Sequence, residues 1–145
     1  MGIYRRVLLV VDLTDDSVAI GRRTQALAAA LGAEVELLHV VEFVPVEPMG
    51  ETLMPSVQIE EELLESGRRR LAALAADLGL AGAACRVESG NVKAEIVRVA
   101  RERQADLIVL GSRERHGLSI LVNLTEDTIL HAAPCDVLAM RAGRG

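Results

Sequence analysis

"RVLLVVDLTDDS", Arg6 to Ser17, is the stretch from which the fold is read. Val7 to Val11 are aliphatic without a break, so no alternate position is reserved for water. A half-exposed strand alternates apolar and polar residues. One that is apolar throughout is covered on both faces, as a central strand of a parallel sheet is. Arg6 to Asp12 is read as that strand. The polar turn that follows supplies residues able to accept hydrogen bonds from the free N–H groups of a helix start. Asp15, Asp16 and Ser17 are therefore read as capping and dipole-compensating residues rather than as a metal site.

Outward from this stretch, helical and extended patterns alternate. Ile20, Thr24, Leu27, Ala28 and Leu31 recur at helical spacing, and Gly32 stops the helix. "EVELLHVVE" (34–42) is a second strand. Phe43 to Ser56, with Pro45, Pro48, Gly50 and Pro55, is a long loop of the kind that carries function. Val57 to Leu78 is a long helix. Glu60, Glu61 and Glu62 precede Arg68, Arg69 and Arg70, an order that suits the helix dipole. Its apolar stripe is Ile59, Leu63, Leu71, Leu74 and Leu78, and Gly67 on that stripe marks close approach of a neighbouring backbone. It costs about 1 kcal/mol of helix propensity against alanine.

"AACRVE" (83–88) is a third strand. Asn91 caps a helix running to about Gln104, with Val92, Ile96, Val99 and Ala100 on one face. "ADLIVLG" (105–111) is a fourth strand. A short helix follows from about Thr125 to Ala132, with His131 near its C-terminus, and Pro134 ends it. "CDVLAMR" (135–141) is the fifth strand. No repeat and no second domain is visible, so residues 1–145 form a single domain. Right-handed crossovers make this a doubly wound α/β sheet with helices on both faces. With strand order 3-2-1-4-5, ligands belong where the order reverses, between strands one and four. The turn at Val11 to Thr14 and the loop Gly111 to Gly117 then face each other.

Composition excludes several functions. Only Tyr4 and Phe43 are aromatic, so there is no stacking platform for single-stranded nucleic acid, and a net charge of −5 opposes phosphate-driven binding. Cys85 and Cys135 lie far apart in apolar segments and are read as buried small hydrophobes. His39, His116 and His131 have no metal-ligand spacing. His39 is read as a core or strand-end residue and His131 as a dipole partner. Nothing resembles a signal peptide or a span of ~20 apolar residues, and a cytoplasmic location without membrane contact is expected.

The enzymatic motifs of this architecture are missing too. A P-loop needs GxxxxGK[ST], and the sole lysine is Lys93. A dinucleotide site needs GxGxxG after the first strand, where this chain has "VVDLTDDS". A phospho-acceptor receiver would place Asp after strand three and Lys after strand five, and neither is present. Ser112 and His116 share one short loop without an orienting carboxylate. A non-enzymatic protein is expected.

Several segments together resemble the universal stress protein family. "RVLLVVDLT" is similar to that family's opening "ILIxVDxS", and Leu38-His39-Val40 to its "LHV". Gly90, Ile96, Ala100 and Asp106 to Ser112 are similar to "GxxxxxIxxxAxxxxxDLIVxGS". "HAAPCDVLAM" (131–140) is similar to "HAPCPVLVV". The resemblance covers nearly the whole chain and implies the adenine-nucleotide α-hydrolase-like fold.

Nucleotide-binding members carry Gly-x-x-Gly, then nine residues, then Gly-Ser or Gly-Thr, whose backbone amides wrap the phosphates. The resemblance puts that site at Val11, Asp12, Val40, Gly111, Ser112, Arg113 and Thr125, but the second glycine is Glu114. A left-handed backbone there would cost Glu about 1–2 kcal/mol. Its carboxylate would repel a phosphate by about 4 kcal/mol at ~4 Å and an effective dielectric near 20. Asn123 to Glu126 also reads as a capping box that needs no anion, whereas Arg113, Arg115 and His116 favour one.

The resemblance is therefore to the A-type branch. It implies a homodimeric stress-response protein without tightly held cofactor, acting on an unknown protein partner. Weak ATP or AMP binding in the strand 1–strand 4 cleft is the alternative. The dimer is expected through the last, edge strand at Cys135, Val137, Leu138, Ala139 and Met140.

Overall fold

Five strands lie parallel, as the alternation of patterns implies, and their order across the sheet is 3-2-1-4-5. The computed structural model describes residues 3–42, 56–112, 129 and 131–141. Its elements are β1 (Arg6–Val10), α1 (Asp16–Leu31), β2 (Glu34–Val41), α2 (Ser56–Asp77), β3 (Cys85–Ser89), α3 (Val92–Glu102), β4 (Leu107–Ser112) and β5 (Asp136–Arg141). Ile129, His131 and Ala132 are helical, and the rest of the helix read from Thr125 lies outside the described residues.

Alternation along each strand divides the core in two. Val7, Leu9 and Val11 face one side and pack with Leu37 and Val109 against Ile20 of α1 and Leu71, Leu74 and Leu78 of α2. Leu8 faces the other side, with Leu38, Val40, Ile108 and Leu110 against Ile96 and Val99 of α3 and against Ile129. Leu8, Leu9, Leu37, Leu38 and Ile108 are almost wholly buried, as the uninterrupted aliphatic runs of the central strands demand.

Local signals explain most boundaries. Gly32 ends α1 in the left-handed region at φ 68°. Asn91 caps α3, its side chain accepting from the Ala94 N–H at 2.9 Å. The Leu80 to Ala83 turn delays β3 until Cys85, two residues later than the pattern suggested. α3 ends at Glu102, and Gln104 takes a positive φ of 56°.

Three readings need correction. The buried stripe of α2 is not Ile59 and Leu63, which are 38% and 42% exposed. It runs through Gly67, Leu71, Leu74, Ala75 and Leu78, with Leu64 half-buried at its start, so the first turns are rotated by one position. Gly67 does mark a close approach, but to side chains. A β-carbon there would lie 3.0 Å from Val87 Cγ1 and 3.5 Å from His39 Cδ2. Cys85 is exposed, because β3 is a sheet edge and its first residue faces outward, while Cys135 is half-buried.

Candidate functional site

The reversal of strand order falls between β1 and β4, the neighbours from which the sheet grows in opposite directions. Their register, Val7 with Leu107 through Leu9 with Val109, brings the turn after β1 level with the end of β4. Val11, Asp12, Gly111 and Ser112 thus gather at one end of the sheet. Arg113, Glu114 and Thr125 lie outside the described residues.

Val11 is buried, and its N–H donates to the Leu38 carbonyl at 2.9 Å, extending the ladder by one residue beyond β1. Val40 is also buried, but in the opposite half of the core, so the two valines do not share a wall. Gly111 pairs with Met140, and Ser112 with Arg141. A β-carbon on Gly111 would run into Ile20 of α1, which gives this glycine a packing role independent of any phosphate.

Asp12 organises the turn. Its Oδ1 accepts from the Thr14 N–H at 3.0 Å, the Thr14 hydroxyl at 2.7 Å and the Ser17 hydroxyl at 3.1 Å. Asp15, the residue before α1, makes no side-chain capping bond. The capping expected of Asp15 is thus not made, and Asp12 instead reaches the first turn of α1 through the Ser17 hydroxyl, while the Ser17 N–H donates to the Thr14 carbonyl at 3.0 Å. Asp16 remains in the first turn, where its charge suits the dipole. Leu13, between Asp12 and Thr14, sits at φ 59°, a conformation that non-glycine residues seldom adopt.

Two side chains that the sequence did not single out for this site hold the turn from outside. His39 Nδ1 lies 2.9 Å from the Val11 carbonyl. A carbonyl only accepts, so that nitrogen carries the proton. Arg70 of α2 donates through Nη2 to the Leu13 carbonyl at 2.8 Å. No local pattern flags either contact, since each joins residues far apart in the chain.

Elsewhere, among the described residues, several charged side chains pair with one another. Arg86, Glu88, Glu95, Arg98 and Glu102 form a network over the β3 edge and α3. A groove of about 740 Å³ opens at the amino ends of the strands, away from the reversal point, lined by Arg6, Glu34, Glu36 and Arg103 among others. There Glu36 pairs with Arg103 at 2.7 Å, and Arg6 donates to the Arg103 carbonyl at 3.1 Å. Among the described residues, no group of three His, Cys, Asp or Glu side chains is placed to hold a metal ion, and no helix is long and apolar enough to cross a membrane.

The outer strand β5 exposes Leu138 and Ala139 and leaves Cys135 and Val137 half-buried. The Met140 side chain is 6% exposed and packs in the core, where Thr24 Oγ1 donates to its sulfur at 3.8 Å. At an interface on this edge Met140 would act through its main chain. Asp136 accepts from the Tyr4 hydroxyl at 2.7 Å, and Arg23 donates to the Arg141 carbonyl at 3.0 Å.

Comparison with known proteins gives a consistent result. The model of the universal stress protein family matches residues 3–141. Two proteins of Coxiella burnetii, universal stress protein A homolog 1 and homolog 2, are 33% and 31% identical over 94% and 97% of this chain. The matches cover 96% and 97% of those proteins. The solved structure of the hypothetical protein MJ0577 superposes with a TM-score of 0.74 at 17% identity, over 99% of both chains, and shows the shared fold.

Proposed function

The chain belongs to the universal stress protein family, and from that premise we propose that it is a non-enzymatic cytoplasmic stress-response protein that works as a homodimer and holds no nucleotide tightly. The observation that carries this reading is the state of Asp12. It stands where the family resemblance places a nucleotide contact, and its Oδ1 accepts from three donors of its own turn. The sequence adds a carboxylate, Glu114, where nucleotide-binding members have glycine. The dimer would form by pairing two copies of the outer strand β5 through their backbones, covering Leu138 on one face of the sheet and Val137 and Ala139 on the other. A further protein, not nucleic acid or membrane, would receive the signal.

Isothermal titration of nucleotide-free protein with ATP and AMP tests the first part. Micromolar affinity would refute it and favour the second reading, an ATP- or AMP-binding regulator. Gly111 and Ser112 at the reversal point, with Arg113 and Arg115 nearby in sequence, favour that second reading. Glu114→Gly should raise affinity if the carboxylate is what blocks the phosphates. Light scattering at tens of micromolar should give the mass of two chains, and a monomer there would end the dimer claim.

A further inference from the structure

We propose that Arg70 is a positioning residue for the reversal-point turn. From α2 it fixes Leu13 in the left-handed region and so keeps the Asp12 carboxylate folded back onto Thr14 and Ser17.

Asp12, Leu13 and Thr14 make a turn closed by the bond from the Thr14 N–H to Asp12 Oδ1, with Leu13 at φ 59° as its central residue. A leucine in that conformation is held at a steric cost and needs an external partner to persist. The Leu13 carbonyl finds one in the Arg70 guanidinium, 2.8 Å away. Arg68 and Arg69, beside it in sequence, both turn to Glu65 on their own helix. Arg70 instead spans from one element to another.

It can reach because α2 lies close to the sheet. Gly67, three residues earlier, sits over Val87 and His39 where a side chain would hold the helix away. His39, beneath Gly67, binds the Val11 carbonyl at 2.9 Å. The carbonyls of Val11 and Leu13 are therefore both taken by residues that move with α2 and β2. The orientation of Asp12, on the side of the cleft where the order reverses, depends on how α2 sits. This bears on the proposed cleft but does not require that nucleotide enter it.

The test is amide hydrogen exchange, followed by NMR, on the full chain. The variants are Arg70→Met, Arg70→Lys, Leu13→Gly and Arg70→Met/Leu13→Gly. In Arg70→Met, exchange at Thr14 and Ser17 should speed up roughly three- to tenfold, the loss of one hydrogen bond, while Leu107 to Leu110 in β4 keep their protection. Arg70→Lys should recover much of the protection because an ammonium can donate to the same carbonyl. The double variant should also recover it, since glycine holds φ 59° without a partner. Unchanged exchange at Thr14 and Ser17 in Arg70→Met overturns the proposal, as does equal loss of protection across β1 and β4, or failure of both rescues. Titration of the wild type with ATP is a separate arm. Micromolar binding there would refute the reading without tight nucleotide and leave this one to the exchange data.

Discussion

Gly111 of β4 lies so close beneath Ile20 of α1 that a β-carbon on the glycine would stand 2.5 Å from the isoleucine Cδ1. The glycine that a sequence reader assigns to a phosphate loop is thus also the point at which α1 docks on the sheet. Gly111→Ala should cost about 1–3 kcal/mol of stability through overpacking. Ile20→Val removes the obstructing methyl and alone should cost about 0.5–1.5 kcal/mol. The double variant, followed by urea unfolding, should lose clearly less than the sum of the two. Strict additivity would mean that the contact does not set the cost.

Tyr4 offers a clean optical probe because it is the only tyrosine and there is no tryptophan. Its hydroxyl donates to Asp136, which raises its pKa above 10.0, and desolvation adds to the shift. Phenolate absorbance in the native protein should therefore titrate later than in the urea-unfolded chain. Asp136→Asn should bring the two curves closer without merging them, because desolvation remains. Since the folded pKa is the higher one, the associated stability is complete below the unfolded pKa and is lost as pH rises through the folded one. A native midpoint at or below that of the unfolded chain would contradict this.

Cys85 is exposed as a residue, yet its thiol lies 3.7 Å from the Ala83 carbonyl. Partial burial pushes its pKa above 9.0, and the Glu36 carboxylate pushes it further. Burial likewise raises Cys135. Alkylation by iodoacetamide, resolved for each cysteine by peptide mapping, should be slower at pH 7.5 in the native protein than in the unfolded chain. Its pH midpoint should also be higher. Glu36→Gln should lower the Cys85 midpoint only in part, because burial is the larger cause. Native reactivity matching that of the unfolded chain would refute the assignment.

Glu36 is 13% exposed at its side chain and bonds Arg103 through Oε1 at 2.7 Å, while its Oε2 is buried without a partner among the described residues. Arg103→Met removes the cation and should lower the unfolding temperature, because the largely enclosed Glu36 carboxylate is left without its counter-charge. Adding Glu36→Gln should recover part of that loss by removing the charge. Thermal unfolding of the wild type, both single variants and the double variant measures it. A double variant less stable than Arg103→Met would show that the carboxylate is not the source of the cost.

The sequence by itself determined the layered α/β architecture. Val7 to Val11, Leu107 to Leu110 and the spacing of Ile96, Val99 and Ala100 carry periods that only strands buried on both faces or an amphipathic helix satisfy. Gly32 and Asn91 were legible for the same reason, since a helix end is a local hydrogen-bonding problem solved by nearby residues. The family also followed from local motifs and their order.

Contacts between distant residues were decided only by the tertiary structure. The face of α2 that packs inward is set by where α2 meets β2 and β3, so Gly67 is buried and Leu64 half-buried while Ile59 and Leu63 are exposed. Cys85 reads as apolar, but its exposure depends on β3 being a sheet edge. Asp12 reaches the Ser17 hydroxyl because the chain doubles back at Leu13. Arg70 reaches that turn because α2 lies close over His39 and Val87. Periodicity reports how each segment divides itself between core and solvent. It carries no information about which distant donor meets which carbonyl, and in this protein those meetings shape the site.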